Sequence, residues 1–129
     1  MQNCLNMLID ERLTVFLLLL KISPNLLGHD FFKEGAKKII KDNDKKFNVG
    51  VGLYKEIASD NGVKQDLVDR AMRHAIDVSF RRNGISDFEK TCNINLSITK
   101  PSPKELLCVL AEMALMESNR ILRTKRTVW

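Results

Sequence analysis

At 129 residues, with 44% hydrophobic and 29% charged positions, the chain has the composition of one globular domain, too apolar for a disordered segment and too charged for a membrane protein. A formal net charge of +5 suits a polyanionic partner without specifying one. The three cysteines, Cys4, Cys92 and Cys108, lack metal-ligand spacing, so reduced thiols in a cytoplasm are expected, with Cys108 filling core space and neither metal nor cofactor bound.

Residues 1–12 read as a possible linker or tail. The most apolar run, LTVFLLLL from Leu13 to Leu20, falls well short of the roughly 20 residues that cross a bilayer. No small-residue cleavage site follows it and Asp10 and Glu11 precede it, which argues against an export signal. A buried first helix from about Ile9 to Ile22, stopped by Pro24, explains the run, and its apolar surround leaves a second subunit as a possible cover.

Residues 30–42 predict a second helix that starts at Asp30, buries Phe31, Phe32, Ala36, Ile39 and Ile40, and turns Lys33, Lys37, Lys38 and Lys41 outward as a solvated face or as phosphate contacts. NDKKFNVGVG then reads as a turn-rich connector punctuated by Gly50 and Gly52.

From Tyr54 to Arg73 the sequence YKEIASDNGVKQDLVDRAMR has the pattern of a helix-turn-helix. Ile57 and Ala58 end a first helix, and Gly62 supplies the turn. Val63, Leu67, Val68, Ala71, Met72, Ala75 and Ile76 recur at spacings of three and four as a buried stripe. The same spacing collects Arg70, Arg73, His74, Asp77 and Arg81 on an outer edge, a candidate DNA-reading surface that spacing alone does not distinguish from an ordinary helical hairpin.

Past Arg82 a glycine stop is expected at Asn83 and Gly84, then at most one short helix capped by Ser86, then the loop SITKPSP. The last helix should run from Pro103 to about Leu122 with Leu106, Leu107, Leu110, Met113, Ala114 and Leu115 inward. Residues 119–129 form a basic end, read as a frayed tail or as a phosphate-binding arm. His29 and His74 are the only histidines, no nucleophile setting or phosphate loop appears, and an enzyme is not expected.

The run LYKEIASDNGVKQDLVDRAMRHAIDVSFRRNGI, and above all RAMRHAIDVSF from Arg70 to Phe80, resembles the DNA-binding effector domain of stage-zero sporulation protein A, the sporulation response regulator. Weaker similarity covers roughly residues 13–118. The resemblance implies an all-α bundle of about six helices containing the helix-turn-helix, a single effector domain over residues 1–129, and a recognition helix over about 64–82. It implies double-stranded DNA as partner, contacts at Asp69, Arg70, Arg73 and His74, a homodimer on tandem half-sites, and an RNA polymerase sigma subunit as a further partner; Lys64, Gln65, Arg81 and Lys100 join these as candidate DNA contacts. Arg70 is the candidate for bidentate reading of guanine, and Asp69 either accepts from cytosine or orients an arginine.

Two departures stand out. Leu67 occupies the place of a base-reading arginine and Lys64 that of a capping threonine, which puts the family's target sequence in question. The residues from Tyr54 to Arg82 hold six Lys or Arg against five Asp or Glu, and that near balance keeps open an alternative, a non-catalytic interaction module that pairs with related regulators. The family's phosphorylatable receiver domain has no room in 129 residues, so either a fragment or a free-standing regulator is expected.

Overall fold

Six α-helices, with a stretch of 3₁₀ and π turns between the second and third, make up the computed structural model, which describes the backbone of residues 2–96 and 100–128 and the side chains of residues 3–96 and 100–124. In chain order they are α1 (Gln2–Leu19), α2 (Leu27–Lys41), the 3₁₀ turn Asn43–Asn48, the π turn Val49–Leu53, α3 (Tyr54–Asn61), α4 (Gln65–Arg81), α5 (Gly84–Cys92) and α6 (Pro103–Val128). The all-α expectation holds, and no strand occurs among the described residues.

Three helices end in the same way. Lys21, Gly62 and Asn93 adopt left-handed φ angles of 60°, 64° and 56°. The next residue's N–H then reaches back to a carbonyl five positions earlier: Ile22 to Leu17 at 2.9 Å, Val63 to Ala58 at 3.0 Å, Ile94 to Glu89 at 3.1 Å. These bonds satisfy helix-end carbonyls that would otherwise lack partners. Lys21 is an unusual choice there, since a side chain in this conformation costs about 1 kcal/mol. Its ammonium offsets that cost by donating to the Arg82 carbonyl at 2.9 Å and pairing with Asp87 at 3.0 Å, which joins the end of α1 to α4 and α5.

α2 is the central helix, packed against α1, α3, α4 and α6. Phe31, Phe32, Ala36 and Ile39 are buried as expected, and Gly28 and Gly35 are buried with them. Their lack of a side chain is what permits the packing. A Cβ on Gly28 would lie 2.6 Å from the Ala71 carbonyl oxygen and 2.6 Å from the Ala75 methyl of α4. One on Gly35 would lie 2.8 Å from Leu107 of α6 and 3.3 Å from Ile57 of α3. α1 lies along α6 with Leu13, Leu17 and Leu20 fully buried, each such side chain worth roughly 1.5–3 kcal/mol. Phe16 meets Phe88 of α5 edge to face, ring centres 5.9 Å apart.

Several boundaries differ from the sequence reading. α1 begins at Gln2 rather than Ile9, so residues 2–12 are helical, and α6 continues to Val128 rather than Leu122. Helix ends without a glycine or proline leave little trace in periodicity. The connector is helical too, its π turn running straight into α3. Of the apolar run for which a second subunit offered a cover, Leu17 and Leu20 are inside this chain's own core, and Leu18 alone is exposed. Cys108 is half-buried rather than a core filler, and Cys92 and Cys4 are likewise free thiols. Residues 97–99 of the SITKPSP loop and the side chains of Lys125 and Arg126 lie outside the described residues.

The expected glycine stop after α4 is also rearranged. Asn83, at φ 61°, takes the left-handed position, and Gly84 opens α5 without an intervening loop. The glycine answers to space instead. Its Cβ would land on the Leu20 carbonyl oxygen at the end of α1 and within 2.8 Å of the Ser79 hydroxyl. Because the obstructing atom is backbone, Gly84→Ala should cost about 1–3 kcal/mol and Asn83→Gly should be nearly neutral, as read by denaturant unfolding. Equal stabilities for Gly84→Ala and the parent would show that α5 is free to slide.

Candidate nucleic-acid interface

α3, the turn at residues 62–64 and α4 form a pair of helices crossing over Tyr54, Ile57 and Ala58, all buried. On α4 the predicted stripe is met by Val68, Met72, Ala75 and Ile76, buried against the core, with Val63, Leu67 and Ala71 partly buried at its margin. Ala71 and Ala75 are small where Gly28 of α2 approaches, so α4 sits close to the body of the protein and its opposite edge is left to solvent. Val78 and Ser79 extend the buried face, and Ser79 was not legible as a core residue because its polarity hides it; its hydroxyl is buried without a hydrogen-bond partner among the described residues.

The outer edge contains the residues expected there. Arg70 and Arg73 are 69% and 64% exposed, and His74 and Arg81 are exposed as well. Each cation is set against an aspartate one helical turn away or nearby. Arg70 pairs with Asp66 at 3.1 Å, Arg73 with Asp69 at 3.1 Å, and the Arg81 Nε donates to the Asp77 carbonyl at 3.4 Å. Lys100, from the segment before α6, reaches Asp77 at 2.8 Å and so joins the same edge. The Lys100 ammonium, hydrogen-bonded to Asp77, holds that carboxyl below its usual range against a small opposing effect of burial, with Lys100, Arg81 and His74 adding their charge.

These pairs orient the cations without locking them. Exposed ion pairs one helical turn apart contribute about 0.3–0.5 kcal/mol, less than a charge-assisted bond from arginine to phosphate or to a guanine edge. Asp69 has a second role. It faces the buried phenol of Tyr54, whose pKa is pushed up to about 12, first by burial and then by the Asp69 charge, with Arg73 opposing.

The two expected site residues at the start of α4 divide. Lys64 occupies the capping position with extended backbone and makes no side-chain cap bond, as the departure from threonine implies, and its ammonium is exposed. Gln65 instead spans the turn, its Nε2 donating to the Gly50 carbonyl at 2.6 Å. Leu67 is half-buried and brings no hydrogen-bonding group to the helix start. Sequence reading missed the Gly50 connection because the partner is a backbone atom fifteen residues away. Gly50, Tyr54, Gln65, Asp66 and Asp69 border an open cleft of 370 Å³ beside this helix start.

The lysines of α2 lie on a different face. Lys33 and Lys37 converge on Asp10, and Lys38 pairs with Asp60 at 2.7 Å, so they serve the body of the fold. Among the described residues no cluster of His, Cys, Asp or Glu suits a metal ion, and no helix is long and apolar enough to cross a membrane.

A family model described as Sporulation initiation factor Spo0A C terminal matches residues 14–114, from the apolar run of α1 through the core-forming half of α6 and including the whole of α3 and α4. With α4 held against α2 by its small residues and its arginine edge turned outward, the chain belongs to this family of DNA-binding effector domains of sporulation response regulators.

Proposed function

We propose that the chain is a sequence-specific, non-catalytic transcription regulator that acts in the cytoplasm by laying α4 in the major groove of duplex DNA. One observation carries the reading: the edge of α4 opposite its core stripe presents Arg70, Arg73, His74 and Arg81 together, with Lys100 drawn to the same edge. A helix so placed reads bases near its N-terminus and touches phosphates farther along. Arg70 is assigned the guanine contact, and Lys64 and Gln65 the approach to neighbouring bases. Arg73, His74, Arg81 and Lys100 take phosphates, and Asp69 positions Arg73. Leu67 can offer a thymine methyl only apolar contact, so the operator differs from one read by arginine at that place.

The alternative, an interaction module that has lost DNA contact, draws on Leu67 and on the aspartates interleaved with the arginines. The magnitudes favour DNA. Each pair is exposed and weak, whereas release of condensed counterions from neutralised phosphates is a large favourable term. A sigma subunit of RNA polymerase fits as a later partner of the DNA-bound protein, and two protomers on tandem half-sites fit the small reach of a single α4. Leu18 and the exposed end of α6 are the surfaces assigned to their contact.

Affinity for duplex DNA should fall with salt at a log-log slope of about −0.9 per neutralised phosphate, measured by anisotropy titration. Absence of duplex binding at low salt would instead support the interaction module. Arg70→Ala should cost roughly 1–3 kcal/mol and relax preference at one base pair, while Arg73→Ala should weaken all sequences alike. The same loss from both on selected and random duplexes would remove Arg70 from base reading. Sedimentation with duplexes carrying one or two half-sites should show cooperative loading of the double site. Independent 1:1 binding would rule out pairing.

A further inference from the structure

The segment that leads into the helix-turn-helix has the surface of a second DNA contact. Val51 stands on the π turn with 69% of its surface exposed, unusual for a valine beside a buried core. A Cβ on its neighbour Gly50 would meet nothing within 4 Å, so the backbone there faces open space. The π turn runs without interruption into α3, which places Lys55, exposed, about one turn beyond Val51. Lys55 and Lys64 have no ion-pair or hydrogen-bond partner among the described residues, whereas Lys33, Lys37, Lys38 and Lys45 are all paired with acids. Lys55 therefore puts an unneutralised cation about one turn from an exposed apolar residue at the entrance to the motif, beside a cleft that Asp66 and Asp69 also border.

This patch is fastened to the recognition helix. The bond from the Gln65 Nε2 to the Gly50 carbonyl fixes the π turn beside the first residue of α4. A duplex that received the start of α4 in its major groove would bring the bordering phosphodiester strand against that turn. Lys55 supplies charge for a phosphate, Val51 supplies apolar contact for a deoxyribose, and the bare backbone of Gly50 allows close approach. We infer that Gly50, Val51 and Lys55 form a second contact with duplex DNA, gripping the sugar–phosphate strand that flanks the bases read by α4. The inference rests on the major-groove reading of α4 and extends its footprint beyond the helix-turn-helix.

Gly50 gives the cleanest test, because its side-chain position is empty and its φ lies outside the left-handed region. Gly50→Glu and Gly50→Lys make the same steric demand with opposite charge. A unit charge a few ångströms from a phosphate in water changes affinity by about fivefold, so Glu should weaken and Lys strengthen binding by that factor. The probe is a 30-base-pair random-sequence duplex titrated at low salt, and Lys55→Ala should lower the salt slope by about 0.9. Val51→Ser should weaken binding severalfold while leaving the slope unchanged. If Glu and Lys at Gly50 leave affinity alike while Arg70→Ala and Arg73→Ala reduce it, the second contact is wrong and the α4 reading stands. If the parent chain binds no duplex at all, both fall. If the Gly50 variants alter self-association without DNA in sedimentation while duplex affinity is unmoved, the patch belongs to a second copy of the chain and the inference is overturned.

Discussion

The approach of α2 to α4 at Gly28 is the constraint on which the rest of the molecule depends. With only hydrogen at that position, the backbone of one helix meets Ala71 and Ala75 of the other, and any side chain would push them apart. Gly35, seven residues on and so on the same side of α2, does the same toward α3 and α6. Gly35, in the middle of the helix, sacrifices roughly 0.5–1 kcal/mol of helix propensity relative to alanine. The return is a central helix thin enough for three others to close around it, which sets the height and tilt at which the arginine edge of α4 stands above the surface.

Charge is distributed on this frame in two ways. Around α2, lysines and acids from α1, α3 and the 3₁₀ turn are matched across elements, as in the pairs of Lys37 with Asp10 and Lys45 with Glu56. On α4 the matching is within one helix or to a single neighbouring segment, and the cations are well exposed. Pairs of the second kind hold extended side chains in a ready orientation yet give way to a stronger anion. The modest net charge of the motif is thus no obstacle to DNA, because what matters is how lightly each cation is held.

The parts of the fold legible in the sequence were those in which one residue type has one physical use. The stripe from Val63 to Ile76 could only be a core face, and Gly62 could only relieve a left-handed turn. The outer edge followed as the complement of that stripe, and the family resemblance attached a chemistry to it. Gly84 and Gly28 escaped because glycine also serves where space is short, and the obstructing atoms, the carbonyls of Leu20 and Ala71, come from distant parts of the chain. Lys21 escaped for the opposite reason: nothing in a lysine announces a left-handed helix end, and its anchors at Arg82 and Asp87 lie some sixty residues away. The candidate edge was therefore readable along α4 and its surroundings opaque wherever α4 touches something else, as at the bond from Gln65 to Gly50.

Tyr54, the single tyrosine of the chain, lies at the junction of the two motif helices. Its phenol is kept neutral by the packing above it and by the Asp69 carboxylate on α4. A tyrosine in water is half ionised near pH 10, while burial and the Asp69 charge push the pKa of this one up to about 12. The near-ultraviolet absorbance of phenolate therefore reports on one position, and loss of the packing around it would bring its ionisation back to lower pH. The seam between α3 and α4 thus carries its own chromophore, whose ionisation in alkali is delayed for as long as the two helices stay packed.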